Sequence, residues 1–311
     1  MMSSRDLKKE LTLHDIESMF GSDKELAGTL SVSLPLIYRI LMGSDKEQIL
    51  ATVRQKIDSQ TLTVSGADQQ QRWEKGWREN LEEFKASGYD EATLRPKYVH
   101  PDSVLRLNGE YIKAEDPMFE DIVYRVLRDR LFSTYLSDVK TIYEFGCGTG
   151  HNLVALAKKY PDKALHGLDW APQSKEILDL LHVKKGYSIE GHLFDMFKPD
   201  QSFKLVPGSG VLMIGALEQL GADFEPILAY TMAQKPAIVV QINQFIELYD
   251  KNNQLDQLAI EFEKRRNYLN GYIPRLQELE KQGKIKILKL RRLSFGSLFH
   301  DGYSFVAWKP L

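Results

Sequence analysis

The chain has 311 residues, enough for one large α/β domain with an appendage or for two domains. A formal net charge of −2 excludes the strongly basic footprint of a nucleic-acid binder. The single cysteine, Cys147, excludes an intrachain disulfide framework, and a charged N-terminus without any long apolar run argues against a signal peptide or a membrane span. The expectation is a soluble cytoplasmic protein with no nucleic-acid or membrane partner.

Residues 1–103 read as a helical N-terminal lid or substrate region. The pentapeptide GSDKE occurs at Gly21–Glu25 and again at Gly43–Glu47, each with the Ser-x-x-Glu form of a helix-capping box. Ile49, Leu50, Val53 and Ile57 then give one apolar helical face. A further helix near Gln69–Ala86 carries Trp73, Trp77, Leu81 and Phe84 on one stripe. That stripe is expected to be a seam against the main domain, with substrate stacking as the alternative. These helices also offer a surface for oligomerisation. Gly88–Ser103, with Pro96 and Pro101, reads as a connector.

From residue 104 the pattern changes, and residues 104–311 read as the main domain. Val104–Ile112 alternates about Asn108-Gly109, a strong hairpin signal. Asp116-Pro117 supplies an N-cap and a first-turn proline for a helix bearing Phe119, Ile122, Val123, Val126, Leu127 and Leu131. Thr141–Phe145 is a short apolar run fit for a buried parallel strand. Gly146, Gly148 and Gly150 follow at alternate positions, where a strand-to-helix turn needs positive φ and no side-chain bulk. A helix from His151 to Tyr160, an apolar run Leu165–Leu168 and Asp169 complete the unit. Bare backbone at a helix start suits a polar or anionic ligand, and a strand-end carboxylate about twenty residues on suits the two hydroxyls of a ribose. The third glycine of a dinucleotide G-x-G-x-x-G would fall on His151, so the spacing speaks against that cofactor.

The stretch E-x-G-x-G-x-G from Glu144, with Asp169 beyond it, resembles motif I of the class I S-adenosylmethionine-dependent methyltransferases. The resemblance covers roughly residues 116–311. It implies a Rossmann-like, seven-stranded, mostly parallel sheet with an antiparallel last strand, and transfer of a methyl group from the sulfonium of S-adenosylmethionine. It further implies that Glu144 orients the methionine end of the cofactor, that Asp169 binds the ribose, and that Asp195 accepts from the adenine amino group with Met196 against the ring. In that family the helix after Asp116 flanks the cofactor, so Tyr111, Met118 and Phe119 enter as pocket candidates beside a plain packing role.

The α/β alternation continues with a helix from Pro172, strands at Tyr187–Phe194, Gly210–Ile214 and Ala237–Ile242, an interrupted helix Gln254–Gln282, and strands Ile285–Leu293 and Tyr303–Trp308. The last two, joined without room for a crossover helix, are expected to be antiparallel. Ligands of such sheets bind beyond the carboxyl ends of the strands. The cofactor-binding candidates are therefore Glu144, Gly146, Cys147, Gly148, Gly150, Asp169, Trp170, Asp195, Met196 and Ala216. Residues 216–219 sit where methyl donor and acceptor meet. The base candidates are Glu218, Asn243, His300 and Asp301, with His300 preferred for its titration range. No His, Cys or acidic cluster has metal-ligand spacing. The reading is methyl transfer to a small-molecule acceptor, most plausibly an oxygen of a sugar or secondary metabolite. An aminopropyl transferase on the same scaffold and a non-catalytic S-adenosylmethionine-binding protein are the alternatives.

Overall fold

The computed structural model describes residues 8–20, 34–95, 97 and 104–311. The N-terminal region holds β1 (Lys8–Leu11), α1 (Leu13–Met19), β2 (Leu36–Ile40), α2 (Gly43–Asp58) and α3 (Gln70–Ala86). Helices α2 and α3 follow the sequence pattern, whereas α1 and the two strands do not show in it. At four and five residues they are too short to show a period. The first GSDKE copy lies outside the described residues. The second opens α2 without forming a capping box: the N-cap is Met42, which makes no side-chain bond, and Asp45 turns instead to Arg39 at 3.1 Å.

A hairpin follows, β3 (Val104–Leu107) and β4 (Glu110–Ala114), with Asn108 and Gly109 at φ of +51° and +77° as a two-residue turn of that hand requires. Helix α4 (Phe119–Tyr135) begins slightly later than the Asp116-Pro117 signal. The Asp116 carboxylate accepts from the Met118 N–H at 2.7 Å, so it caps a turn that leads into the helix. The alternating unit then runs β5 (Thr141–Phe145), α5 (His151–Lys159), β6 (Ala164–Asp169), α6 (Pro172–Lys185), β7 (Ile189–Leu193), β8 (Gly210–Ile214), α7 (Glu225–Gln234), β9 (Ile238–Ile242), α8 (Gln254–Arg265), α9 (Tyr272–Lys281), β10 (Ile285–Arg291), β11 (Phe295–Gly296) and β12 (Phe305–Pro310).

Seven of these strands form one sheet in the order β10-β12-β9-β8-β5-β6-β7. β7, β6, β5, β8 and β9 pair in parallel, and β12 is antiparallel to both β9 and β10. Alternation along β5 sends Ile142 toward Leu153, Leu156 and Leu181 on one face. Tyr143 and Phe145 go toward Phe194, Ile227 and Tyr230 on the other. Strand order reverses at β5, so a crevice opens beyond its carboxyl end.

The remaining strands make a five-stranded antiparallel sheet, β1-β2-β4-β3-β11. β11 belongs to the loop between β10 and β12, with Phe295 opposite Leu107 and Gly296 opposite Arg106. The same loop is held by a buried ionic network. Arg106 on β3 reaches Asp256 on α8 at 2.5 Å and Asp301 at 3.1 Å, and Arg292 reaches Asp256 at 2.6 Å and Asp301 at 2.7 Å. Arg106, Asp256 and Asp301 are 1–2 % exposed, so each charge depends on its partners rather than on water. No helix among the described residues is long and apolar enough to cross a membrane.

Candidate functional site

The glycine turn after β5 has φ of +68°, +52° and +73° at Gly146, Gly148 and Gly150. Each lacks a side chain for a different reason. A Cβ on Gly146 would overlap the Ala216 side chain and crowd Met196, one on Gly148 would press on the Trp77 ring, and one on Gly150 would strike Leu178 of α6. Gly146 and Gly148 line cavities, whereas Gly150 sets the start of α5 and its fit against α6.

Asp169 ends β6 beside this turn. Its carboxylate accepts from the Gly148 N–H and from the Ala171 N–H, both at 2.9 Å. Burial pushes its pKa up to about 6, although these backbone donors favour the charged form. The N-cap of α6 is Ala171, so Asp169 is not that helix's cap. Trp170 stacks on Phe197 with centroids 5.7 Å apart and planes at 23°. These two rings, with Asp169, Gly146, Met196, Ala216, Trp73 and Trp77, line the smaller of two adjoining cavities. Asp195 does not line it. Its carboxylate accepts from the Phe197 N–H at 2.8 Å and so shapes the loop that presents Met196 and Phe197.

Glu144, 1 % exposed, stands at the other end of the turn and lines the larger cavity, whose volume is about 700 Å³. One carboxylate oxygen accepts from the Asn152 amide at 2.8 Å, and the other has no hydrogen-bond partner among the described residues. Burial raises its pKa to about 8. Such a group is costly to keep charged unless a cation reaches it. Cys147 also borders this cavity, but its Sγ is packed beneath Gly167. Burial, with Asp169 and Glu144 nearby, pushes its thiol well above the ordinary range, which leaves no thiolate for attack.

The far wall of the larger cavity brings together residues that are distant in sequence. His300 lines it, with Nδ1 3.5 Å from Oε1 of the fully buried Glu263. Glu263 in turn accepts from the Tyr249 hydroxyl at 2.6 Å. Phe262 stacks on Phe299 at 4.5 Å, and Tyr268 on His300 at 5.9 Å. Arg266 donates to the Tyr268 hydroxyl at 2.7 Å and sits over that ring. Glu218 contributes a carboxyl that burial shifts upward, with one oxygen lacking a partner among the described residues. Glu120, Asp121 and Tyr124 of α4 border the same space.

Among the base candidates, His300 and Glu218 meet the cavity; Asp301 faces Arg106 and Arg292 instead, and Asn243 is wholly buried without lining it. Tyr111 and Phe119 are 1 % exposed and belong to the core. The Trp stripe of α3 divides: Leu81 and Phe84 are core, while Trp73 and Trp77 border both cavities. Glu263, Arg266 and Tyr268 carry no local sequence signal. They matter only through what α8 places beside His300.

The strand order, the antiparallel β12 and a glycine turn at the switch point agree with the motif. The sheet is seven-stranded and mostly parallel with an antiparallel β12, the form that the resemblance implies.

No family model matches this sequence, and no curated protein matches it. Among solved structures, the chain is similar to an O-methyltransferase of neocarzinostatin biosynthesis solved with S-adenosylmethionine and 2-hydroxy-5-methyl naphthoic acid, at 15 % identity over 63 % of this chain and 59 % of that one, TM-score 0.41. It is similar to a dimethyltransferase acting on 8-amino-8-demethyl-D-riboflavin from Streptomyces davawensis, at 12 % identity over 62 % and 56 %, TM-score 0.43. It is also similar to the pyocyanin biosynthetic protein PhzM, at 12 % identity over 61 % and 56 %, TM-score 0.45. The chain thus spans less than two thirds of each of these structures. Likenesses this weak carry no weight of their own; the strand order and the site geometry do.

Proposed function

We propose that the chain is an S-adenosylmethionine-dependent methyltransferase that modifies an oxygen of a small hydroxylated acceptor. The observation that carries this reading is a pair of buried carboxylates on either side of one glycine turn. Glu144 keeps an unpartnered oxygen where the cofactor's ammonium would lie, and Asp169 stands at the ribose position. The residues therefore fit the group: Glu144 takes the amino-acid end, Gly146, Cys147 and Gly148 supply the cradle, and Asp169 takes the sugar. Trp170, Met196, Phe197 and Ala216 enclose the base. When bound, S-adenosylmethionine supplies a methyl group on a positively charged sulfur. Asp195 acts through the loop it shapes rather than by contact.

The acceptor occupies the larger cavity, where the stacked rings of Phe262, Phe299, Tyr268 and Trp73 favour a flat, ring-bearing molecule over a bare sugar. His300 takes the acceptor's proton. Glu263 turns its Nδ1 inward and supports the charge that follows, which leaves Nε2 for the hydroxyl. A positioned base of this kind contributes about 10²–10⁴-fold, and holding the acceptor in line contributes more. Glu218 offers the acceptor a carboxyl oxygen that has no partner among the described residues. Residues 1–103 act as lid and substrate region through Trp73 and Trp77, and residues 104–311 hold the cofactor.

Aminopropyl transfer gains Glu120 and Asp121 as cavity carboxylates beside Glu218. Lys56, Arg72, Arg95 and Arg266 border the same space, and that mixed charge disfavours a polyamine. The deciding experiment is calorimetry with S-adenosylmethionine and with NAD, followed by labelled-methyl transfer to phenols, sugars and amines. Binding of the first cofactor alone, with label on a phenolic oxygen, is expected. Binding without turnover on any class would instead make the chain a non-catalytic binder, and no binding would end the reading.

A further inference from the structure

Away from both cavities, on the outer half of the seven-stranded sheet, β6 and β7 bring two imidazoles and a carboxylate to one point. In the parallel register His166 lies opposite Glu190, and His192, two residues further on, shares its face of the sheet. His166 Nδ1 is 3.0 Å from His192 Nε2 and 3.6 Å from a Glu190 carboxylate oxygen, and His192 Nε2 is 3.9 Å from the other. Among the described residues this is the one group of three or more His, Cys, Asp or Glu residues whose ligand atoms converge within 4.8 Å.

We propose that His166, Glu190 and His192 bind one divalent transition-metal ion of the Zn²⁺ type. A tetrahedral ion with bonds of about 2.0–2.1 Å holds its ligand atoms about 3.3–3.4 Å apart, so the three separations bracket the edges of such a tetrahedron. Two imidazoles and one carboxylate are a donor set that borderline metals accept. The rings are fixed from behind. Tyr143 stacks on His166 with centroids 4.5 Å apart and planes at 12°, and Phe203 meets His192 edge-on at 4.9 Å. Glu190 is 67 % exposed on its side-chain surface, while the two histidines are under 20 %, so the fourth position and the entry path face water.

A shared N–H···N hydrogen bond is the plain alternative for the two rings. It leaves the approach of Glu190 to both of them without a purpose. The ion has no place in the methyl transfer. His166 and His192 lie three residues before Asp169 and Asp195, roughly 10 Å back along their strands. An ion there ties edge strand β7 to β6 beneath the loops that present Trp170, Met196 and Phe197. Sequence spacing hides the site because its ligands come from two strands, with a weak Glu-x-His on one of them.

The test uses tag-free full-length protein, stripped with chelator and titrated with Zn²⁺ by calorimetry, with Co²⁺ as a spectroscopic probe of tetrahedral coordination. The expected result is one ion per chain and visible bands typical of tetrahedral Co²⁺. The melting temperature should rise by a few degrees at excess metal. His192→Ala should weaken binding by more than about tenfold, and so should Glu190→Gln. Glu190 is exposed, so its variant keeps the test alive if a histidine variant misfolds. No Zn²⁺ binding by the wild type at sub-millimolar metal would overturn the proposal, as would an affinity unchanged in both variants. Neither outcome bears on S-adenosylmethionine binding, which is measured separately.

Discussion

At the proposed cofactor end of the site, Glu144, the glycine turn, Asp169, Trp170 and Met196 all stand within a few residues of the carboxyl ends of three adjacent strands. At the proposed acceptor end, Trp73, Glu218, Glu263, Arg266 and His300 come from four separate segments spread over most of the chain. The first arrangement follows from the consecutive run β5-α5-β6-α6-β7. The second exists only once α3, α8 and the loop before β12 have docked. A nucleoside cradle is therefore a local property of the sheet, whereas acceptor choice is a property of the assembled molecule.

The largest effect should come from attacking the local half. Asp169→Ala removes two charge-assisted contacts to a ribose, each worth about 1.5–3 kcal/mol, so S-adenosylmethionine affinity by calorimetry should fall about 10²–10⁴-fold. Because the same carboxylate holds the Gly148 and Ala171 N–H groups, Asp169→Asn serves as the milder partner and should fall less.

Attacking the assembled half should separate turnover from cofactor binding. His300→Ala is expected to lower kcat about 10²–10⁴-fold with cofactor affinity unchanged. Glu263→Gln should lower kcat by a smaller factor, again with cofactor affinity unchanged. If both binding and turnover collapse together in His300→Ala, the division between the two ends is wrong.

Removing Asp301 tests what holds that half in place. Asp301→Ala leaves Arg106 and Arg292 short of a partner in a dry setting, and the unfolding free energy should drop by about 3–5 kcal/mol. Denaturant titration reads this directly. An unchanged midpoint would mean that the loop is held by β11 alone.

Smaller effects concern protonation. Burial lifts Glu144 from 4.5 to about 8 and Asp169 from 3.8 to about 6. A raised carboxyl binds its proton more tightly in the folded chain, so the stability it supports is full below the unfolded value and is lost as pH rises through the folded one. The unliganded protein should lose up to about 1.4 kcal/mol per pH unit through Asp169 between about pH 4 and 6, and through Glu144 between about pH 5 and 8. Glu144→Gln should flatten that slope, read from denaturant midpoints across pH. Least of all, Asp195→Asn should change cofactor affinity by less than about tenfold, because the amide oxygen can still accept from the Phe197 N–H. A larger loss would return Asp195 to direct contact with the adenine.

The same contrast explains what the sequence shows and what it hides. Strands β5, β6 and β8 appear as apolar runs because both faces of a central parallel strand are covered, and the turn glycines appear because positive φ coincides there with no room for a Cβ. Strands β1 and β2 leave no such mark: short segments of an antiparallel sheet, β1 at its edge and β2 beside it, need only a partial apolar face. Glu263 sits on a helix whose Leu255, Leu258 and Phe262 read as core, and an acidic neighbour there reads as solvated until α8 is docked. Asp301 reads as a base because its loop opens toward the site, and only the folded approach of Arg106 and Arg292 reveals its other allegiance. Asp195 occupied the adenine position in the pattern, yet its side chain serves its own backbone.

Two residues of pairing between β11 and β3 have a consequence for how such a chain can diversify. They stitch the loop that carries His300 to the β3–β4 hairpin, far earlier in the chain, so neither piece can be traded for another as an independent cassette. Any recombinant that imports a new hairpin must bring along a matching tail, or His300 loses its seat. Chimaeras that replace the hairpin alone should bind the nucleoside yet fail to turn it over, and restoring the native β3 should recover them.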